Sequence, residues 1–344
     1  MKKYLLPEKG NYYKANLHMH TNISDGRYTP EEVKRQYMER GYSVVAYTDH
    51  ELLVPHPELC DENFVAITSF EIHQSRQQPP LPFNCRPCYH LNLYAKDPMK
   101  DVSEVWTNKS FWNEGWDAYV SENQKKMGVG SVPRVYEGFN EIIKKANEEG
   151  FLVCYNHPCW SQQNYLDYSI LEGLWATEIY NHSSFVEGYD DNDQHFDDLL
   201  KMGKKIFPVA ADDAHGDVDE FGGWIMIKSE RLGYSEIMDS LEKGDFYAST
   251  GPEIKELYVE DEKLHITTSE AREIFVRTDR RTCLVKMAKD GELFTSAEFD
   301  LKAFIKQTYD VPELADNAFM RVIVYDKAGK KAYTPAYYVK DFTK

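Results

Sequence analysis

The sequence predicts an α/β protein followed by a small antiparallel β-sandwich, and three observations support this fold class. Up to about residue 250, short β-branched and aromatic runs alternate with helical stretches, which indicates about seven βα units in a closed barrel or a doubly wound sheet. Several of these runs end in a histidine or an acid. After Thr250-Gly251-Pro252 the runs become short and alternating, with charged turns between them. We therefore predict two domains, at residues 1–252 and 253–344.

The first βα unit shows the pattern most clearly. Residues 14–20 alternate like a strand, and the turn that should follow carries Asp25. Thr29 opens a capping box with proline at the first helical position, which predicts a helix over 30–40. A β-branched and aromatic run over 42–47 is typical of a strand buried in a parallel sheet and completes the unit.

The same alternation continues along the chain. Further strands of the first domain are predicted over 64–70, 88–94, 151–155, 175–180, 205–210, 222–227 and 245–249. Further helices are predicted near 136–149, 166–174, 192–202 and 234–243. In the second domain, alternating runs predict strands over 254–259, 264–268, 273–278, 282–288, 319–325 and 332–339.

The composition argues against some classes of function. The formal net charge of −17 disfavours a nucleic-acid polymer as the partner, because phosphate backbones are bound by clustered lysine and arginine. No stretch approaches the ~18 consecutive apolar residues of a membrane helix, and residues 1–20 lack the apolar core of a signal peptide. We therefore expect a cytoplasmic protein that acts on a small molecule and not on a membrane. Its six cysteines are expected to be free thiols.

Histidines and acids near the ends of predicted strands form the candidate site. His18 and His20 are two residues apart in a predicted strand, so both side chains lie on one face and can bind one ion. In parallel α/β architectures the carboxyl ends of the strands meet at one cavity. The candidate metal ligands are His18, His20, Asp25, His50, Glu71, His90, His157, Asp213 and His215. This number exceeds one coordination shell, so the sequence predicts two or three divalent ions, and the mixture of imidazoles and carboxylates favours Zn²⁺, Mn²⁺ or Fe²⁺.

Several motifs follow one another in a definite order over about residues 14–251. They are His-x-His-Thr-x-x-Ser-Asp-Gly from His18, Thr-Asp-His at 48–50, the isolated Glu71, Asn-His-Pro at 156–158, Asp-x-His at 213–215, and Phe-Tyr-Ala-Ser-Thr-Gly-Pro ending at 252. This order resembles the PHP superfamily, named for its polymerase and histidinol-phosphatase members. The resemblance implies a distorted (β/α)7 barrel with metal at the strand C-termini, and hydrolysis of phosphate esters. By position it implies one ion held by His18, His20, Glu71 and Asp213, a second by Glu71, His90 and His157, and a third by Asp25, His50 and His215.

The residues and the resemblance together predict a metal-dependent phosphoesterase. Its substrate would be a small phosphorylated molecule, either a phosphomonoester or nucleotide-like, attacked at phosphorus by a metal-bound hydroxide. The expected catalytic residues are Glu71, Asp213 and His215. We expect Arg27 and His182 to bind substrate, because a guanidinium suits phosphate and His182 follows a predicted strand. Arg76 and Arg134 are the other arginines near the motifs.

Two other functions remain open. An amidohydrolase attacks a carbon centre, as in an amide or lactone, and its sequence also begins with His-x-His, but that class usually offers a lysine where this chain has Glu71. A non-catalytic barrel would serve only as a binding scaffold. Loss of ligands would be the signature of a scaffold, and all the expected ligand positions are filled here.

Overall fold

The structure is a computed structural model that describes residues 2–77, 80–109, 114–189, 193–289 and 291–343. Its strands are β1 (Lys3–Tyr4), β2 (Asn11–Asn16), β3 (Tyr42–Tyr47), β4 (Val65–Ser75), β5 (Cys88–Ala95), β6 (Phe151–Tyr155), β7 (Ala176–Asn181), β8 (Phe207–Ala211), β9 (Trp224–Ser229), β10 (Phe246–Ser249), β11 (Ile254–Glu260), β12 (Lys263–Ala271), β13 (Glu273–Thr278), β14 (Cys283–Met287), β15 (Phe294–Asp300), β16 (Phe319–Tyr325), β17 (Lys331–Tyr333) and β18 (Tyr337–Tyr338). Its α-helices are α1 (Pro30–Glu39), α2 (Glu122–Met127), α3 (Phe139–Glu148), α4 (Tyr165–Tyr168), α5 (His182–Val186), α6 (Gln194–Lys201), α7 (Tyr234–Lys243), α8 (Lys302–Asp310) and α9 (Val339–Thr343). Within the described ranges, no helix combines the length and apolarity needed to cross a bilayer.

Helix α1 begins as its sequence predicts. The side-chain oxygen of Thr29 accepts a hydrogen bond from the backbone N–H of Glu32 at 3.2 Å, and the Glu32 carboxylate accepts one from the backbone N–H of Thr29 at 2.9 Å. Both halves of the capping box are therefore formed. Val33 and Tyr37 are fully buried in an apolar cluster that also includes residues of β3, and this contact fixes the helix on the sheet.

Most strands belong to one mixed sheet, whose order is β14-β13-β16-β17-β10-β9-β2-β3-β4-β5-β6-β7-β8. Among the described strands, the parallel neighbours are β2 with β3, β3 with β4, β6 with β7, and β7 with β8. The prediction of about seven consecutive βα units is therefore wrong. Strand β5 runs antiparallel to β4 and β6, and β9 runs antiparallel to β2 and β10. The described residues between β4 and β5 contain no α-helix, so the chain returns beside β4 as a hairpin.

Strand β4 is longer than predicted, and its length changes where its candidate ligand lies. Its first half pairs in parallel with β3, and its second half pairs antiparallel with β5. Glu71 therefore lies within the strand and not at its end. His90 is the third residue of β5. Because β5 runs antiparallel, its first residues lie at the same edge of the sheet as the carboxyl ends of the parallel strands.

The segments that follow β2 and β8 meet at this edge. The backbone N–H of Asp213 donates to the carbonyl oxygen of His18 at 2.9 Å. The backbone N–H of His20 donates to the carbonyl oxygen of Ala214 at 3.1 Å. These bonds bring the ends of two strands that are distant in the sheet order to one place. The closed (β/α)7 barrel that the resemblance implies stays a prediction.

The second unit, which contains β1 and the elements from β11 onwards, consists of two sheets around one apolar cluster. Strands β1, β11, β12 and β15 form a separate sheet, while β13, β14, β16 and β17 extend the large sheet through the pairing of β17 with β10. Apolar side chains of both sheets pack with Phe304 and Ile305 of α8. Strand β15 and helix α8 were not predicted; in β15 two of the seven side chains are buried, which leaves too few apolar positions for a clear pattern. The boundary between residues 252 and 253 stays a prediction.

An ion-pair cluster joins the second unit to α6, and we call it the arginine–aspartate cluster (Asp193, Asp197, Arg277 and Arg321). Arg321 in β16 is fully buried; its Nε donates to Asp197 at 2.7 Å, and its guanidinium also pairs with Asp193. Arg277 in β13 contacts the same two carboxylates at 2.9 Å each, with 40% of its side chain exposed. The two carboxylates are therefore held mainly by arginines from the second unit.

Candidate metal centre

His18 and His20 follow β2 and project to the same side of the chain. Both residues are fully buried, and their Nε2 atoms lie 3.2 Å apart. Met19, between them, packs in the apolar cluster that contains Val33 and Tyr37. The two imidazoles therefore share one face, as their spacing predicts.

Glu71 lies at the centre of the site. Its carboxylate oxygens are within 3.5 Å of a ring nitrogen of five histidines: His18 Nε2 (3.5 Å), His20 Nε2 (3.4 Å), His50 Nδ1 (3.1 Å), His90 Nδ1 (3.0 Å) and His157 Nε2 (3.4 Å). Glu71 is 1% exposed, and Asn156 donates to its Oε1 at 2.8 Å. One carboxylate thus contacts candidate ligands from four different strands or strand ends.

Asp213, two residues after β8, completes the donors around His18 and His20. Its Oδ1 lies 3.1 Å from Nε2 of each of these histidines. Its Oδ2 lies 3.7 Å from Nε2 of His157 and accepts a hydrogen bond from Asn181 at 3.1 Å. Asp213 and His157 have φ values of 56° and 24°, a region that residues other than glycine rarely adopt. Unusual backbone angles at two candidate ligands favour a functional role for both.

Asp25 lies in the turn after His20 and forms a third set of contacts. Its carboxylate oxygens are 3.6 Å from His50 Nε2, 3.7 Å from His215 Nε2 and 3.6 Å from His20 Nδ1. The Asp25 side chain is 27% exposed and that of His215 is 33% exposed. This part of the site therefore lies nearer to solvent than Glu71 does.

The donor atoms fall into three overlapping groups. They are His18, His20 and Asp213; His18, Glu71 and His157; and His20, Asp25, His50 and His215. His90, which the resemblance assigns to the second ion, lies outside these compact groups but contacts Glu71. His18 and His20 each belong to two groups, which the sequence did not indicate. The structure therefore brings all the predicted ligands together at one edge of the sheet.

These donor groups fit divalent transition-metal ions. Such ions bind nitrogen and oxygen at about 2.0–2.2 Å, which places neighbouring ligand atoms roughly 3–3.5 Å apart. The Nε2 atoms of His18 and His20 and the Oδ1 of Asp213 are 3.1–3.2 Å from one another. The buried Nδ1 of His20 makes no hydrogen bond within the described part of the chain, and buried polar atoms generally require a partner. Imidazoles mixed with carboxylates suit Zn²⁺, Mn²⁺ or Fe²⁺ better than Ca²⁺ or Mg²⁺.

Burial and close charges shift the pKa values at this site in opposite directions. Burial lowers the pKa of His18, but the carboxylates around it, led by Asp213, raise that pKa well above its usual range. Burial raises the pKa of Glu71, but the surrounding imidazoles, led by His18, bring that pKa well below its usual range. Burial holds the pKa of His50 well below 6.5. Glu71 is therefore ionised at neutral pH and presents a full negative charge to the centre of the site.

Glu178 orients His18 from outside the three groups. Its Oε1 lies 2.7 Å from Nδ1 of His18, and both side chains are fully buried. A carboxylate requires a donor, so Nδ1 carries a proton, and Nε2, which faces Asp213, is the nitrogen left to bind an ion. The other oxygen of Glu178 accepts from the backbone N–H of His157 at 3.0 Å and from Asn181 at 2.9 Å. Sequence reasoning missed Glu178, although the signal was present: it is the one charged residue of β7.

We expect Glu178→Gln to weaken metal binding by about 10–100-fold while leaving the chain folded. Three donors face the two oxygens of Glu178, so a glutamine amide group must meet at least one donor with its own N–H. Equilibrium dialysis against Zn²⁺ or Mn²⁺ would measure the change. Glu172→Gln, a change of an exposed acid that pairs with Lys204, is the matched control and should bind metal normally. Unchanged affinity in Glu178→Gln would contradict the orienting role.

Two further buried acids hold the loops that carry the candidate ligands. Asp49 accepts hydrogen bonds from the backbone N–H of Thr21 and the hydroxyl of Ser24, each at 2.8 Å, and so fixes the turn that contains Asp25. Asp212 accepts from the backbone N–H groups of residues 221–223 at 2.8–2.9 Å. The loops on both sides of the site are therefore anchored by buried charge.

A cavity of about 250 Å³ opens over the donor groups. Its described lining consists of candidate ligands together with Trp160, Ser183, Ser184, Glu187 and Asp219. The two residues predicted to bind substrate are not part of this described lining. Arg27 is largely exposed, and the ring of His182 packs so closely on Gly222 that a Cβ there would lie 2.1 Å from it.

The arginines near the motifs all pair with carboxylates. The pairs are Arg27 with Asp217, Arg76 with Asp167, and Arg134 with Glu51. The last pair is bidentate and buried, with nitrogen–oxygen distances of 2.7 and 3.0 Å. Glu51 directly follows His50, so Arg134 holds the backbone beside a candidate ligand. A phosphate contact by any of these arginines stays a prediction.

No protein-family model matches the chain, and no curated protein has a matching sequence. Solved structures do resemble it. A two-domain protein from Bacteroides vulgatus, described as containing a predicted PHP-like metal-dependent phosphoesterase, is 13% identical, with 97% of this chain and 98% of that chain covered and a TM-score of 0.46. A putative metal-dependent phosphoesterase from Bifidobacterium adolescentis is 16% identical, with 69% and 96% covered and a TM-score of 0.40. An amidohydrolase from Chromobacterium violaceum is 14% identical, with 67% and 96% covered and a TM-score of 0.38.

One of these structures is described as PHP-like. The identities are low and each TM-score is below 0.5. The similarities therefore say nothing about the substrate or the reaction of this chain. Both must be argued from the site itself.

Proposed function

We propose that this protein is a metal-dependent phosphoesterase that hydrolyses a small phosphorylated molecule. The observation that supports the proposal is the position of Glu71, whose carboxylate contacts histidines of all three donor groups. Cations held by adjacent groups would share this carboxylate. Divalent ions about 3.5–4 Å apart are typical of sites that clamp the attacking and leaving oxygens of a phosphoryl group.

The side chains have distinct tasks in this reaction. Bound divalent ions lower the pKa of water and offset the charge of the phosphoryl group. Glu71 and Asp213 hold the centre together, since each contacts histidines of more than one group. The Nδ1 of His215 donates to the carbonyl oxygen of Asp213 at 2.9 Å, so its Nε2 carries the lone pair at the cavity. His215 is therefore placed to bind an ion or to accept a proton as water adds and the P–O ester bond breaks.

The test is removal and restoration of metal. We expect the chelator-treated protein to be inactive on p-nitrophenyl phosphate, and Zn²⁺, Mn²⁺ or Fe²⁺ to restore turnover at about two to three ions per chain, because the donor groups number three. Turnover and elemental analysis would be measured on the same samples. A metal-loaded protein that cleaves amides or lactones but no phosphate ester would contradict the proposal and favour an amidohydrolase. A protein that binds no ion would contradict the site itself.

A further inference from the structure

The cavity over the donor groups is lined mainly by acids and histidines in the described part of the chain. Its lining contains the acids Asp25, Glu71, Asp213, Glu187 and Asp219, and neither lysine nor arginine. The arginines nearest to the motifs are paired with carboxylates elsewhere. The only side chains of this described lining that can carry positive charge are four histidines, and all four are candidate metal ligands.

Two of the lining acids are not candidate ligands, and they differ in their surroundings. Asp219 accepts hydrogen bonds from the backbone N–H groups of His215 at 3.0 Å and Gly216 at 2.9 Å, so its oxygens have donors. Glu187 accepts a hydrogen bond from the indole Nε1 of Trp160 at 2.7 Å. Within the described ranges, Glu187 pairs with no lysine, arginine or histidine. Glu187 is solvent-exposed and lies at the mouth of the cavity, where no cationic side chain of the described chain pairs with it.

Trp160 stands beside the histidines of the centre. Its ring plane is nearly perpendicular to those of His90 and His157, with centroids 5.6 and 5.2 Å away and interplanar angles of 84° and 81°. Its side chain is 36% exposed. An indole attracts cations more strongly than the other aromatic rings do. The hydrogen bond to Glu187 thus joins a negative charge and a cation-attracting ring in one wall of the cavity.

We infer that the alcohol portion of the substrate carries a positively charged nitrogen, which is bound by Glu187 and Trp160 while the phosphate lies at the metal centre. This inference rests on the proposed function, because it needs the phosphate to be placed by the ions. A carboxylate and an indole together bind an ammonium group through charge, hydrogen bonding and the cation–π interaction. A cavity of about 250 Å³ suits a short aminoalkyl phosphate.

The experiment compares three small esters on the metal-loaded full chain: ethanolamine phosphate, the uncharged analogue propyl phosphate, and glycerol phosphate. We expect kcat/KM to favour ethanolamine phosphate over each of the other two by roughly tenfold or more. Glu187→Gln and Trp160→Ala should each bring the ratio for ethanolamine over propyl phosphate towards one, mainly through KM. Glu230→Gln, a change of an exposed acid outside the cavity lining, is the matched control and should keep the ratio. Metal content is measured in every variant, so that loss of ions is not mistaken for loss of selectivity.

The outcomes separate this inference from the proposed function. Equal kcat/KM values for the three esters, a preference for glycerol phosphate, or a ratio that survives in Glu187→Gln would overturn the inference and leave the phosphoesterase standing. Failure of the metal-loaded protein to turn over any phosphate ester would overturn both.

Discussion

Replacing Glu71 by glutamine is expected to remove metal from more than one position at once and to reduce turnover by at least 100-fold. The substitution preserves size but removes the negative charge that five histidines surround. Loss of a direct ligand should cost more than the roughly 10–100-fold seen when a partner of a ligand is changed. Elemental analysis and turnover of p-nitrophenyl phosphate, measured on the same preparation, would show both effects.

Single histidine variants are the controls for Glu71→Gln. His90→Ala and His50→Ala should each deplete mainly one position, because each histidine belongs to at most one donor group. Circular dichroism would establish that all three variants are folded. If Glu71→Gln retains its full metal content and a near-normal rate, the shared role of Glu71 is refuted. Asp213 or Asp25 would then be the candidate for the carboxylate that the ions share.

Arg321→Met is expected to lower the free energy of unfolding by about 3–5 kcal/mol, the cost of removing one partner of a buried ion pair. Arg321 is fully buried and contacts both Asp193 and Asp197, which methionine cannot do. Methionine keeps much of the side-chain volume, so the effect of lost packing is small. Urea denaturation followed by fluorescence would measure the change.

Arg277→Met is the matched control within the same arginine–aspartate cluster. Its side chain is 40% exposed, so water replaces part of the lost contact, and we expect a change of about 1 kcal/mol or less. Equal effects of the two substitutions would contradict this prediction, and so would a decrease in the free energy of unfolding below about 1 kcal/mol for Arg321→Met. Either result would show that burial of Arg321 does not govern the stability of the arginine–aspartate cluster.

Much of the site was predictable from the sequence because its ligands follow local patterns. The spacing of His18 and His20 fixes their common face, and the turn after them brings Asp25 back beside His20 within five residues. His90 was found for the wrong reason. It was placed at the end of a parallel array, but it lies near the beginning of an antiparallel strand. Whether a strand runs parallel or antiparallel depends on which strands it pairs with, and the local pattern of apolar residues does not specify these partners.

The residues that support the ligands were harder to predict than the ligands. Glu178 orients His18 across 160 positions of sequence, and no spacing rule connects the two. Arg321 is equally hard to connect to its partners by spacing, since Asp193 and Asp197 lie outside the second unit. Buried polar partners are chosen by three-dimensional packing. They become recognisable in a sequence mainly as isolated charges within otherwise uncharged strands, as Glu178 is.

The pairing of β17 with β10 has a consequence for refolding. Ala248 and Ser249 of β10 pair with Tyr333 and Ala332, which lie far along the chain, and β1 pairs with β11 across a much longer separation. Contacts between such distant residues form slowly, because closing a long loop costs conformational entropy before the new contact contributes any stabilisation. Until β17 arrives, the outer edge of β10 offers unpaired backbone groups that can template aggregation. The yield of refolding should therefore depend on protein concentration more strongly than the stability of the finished fold would suggest.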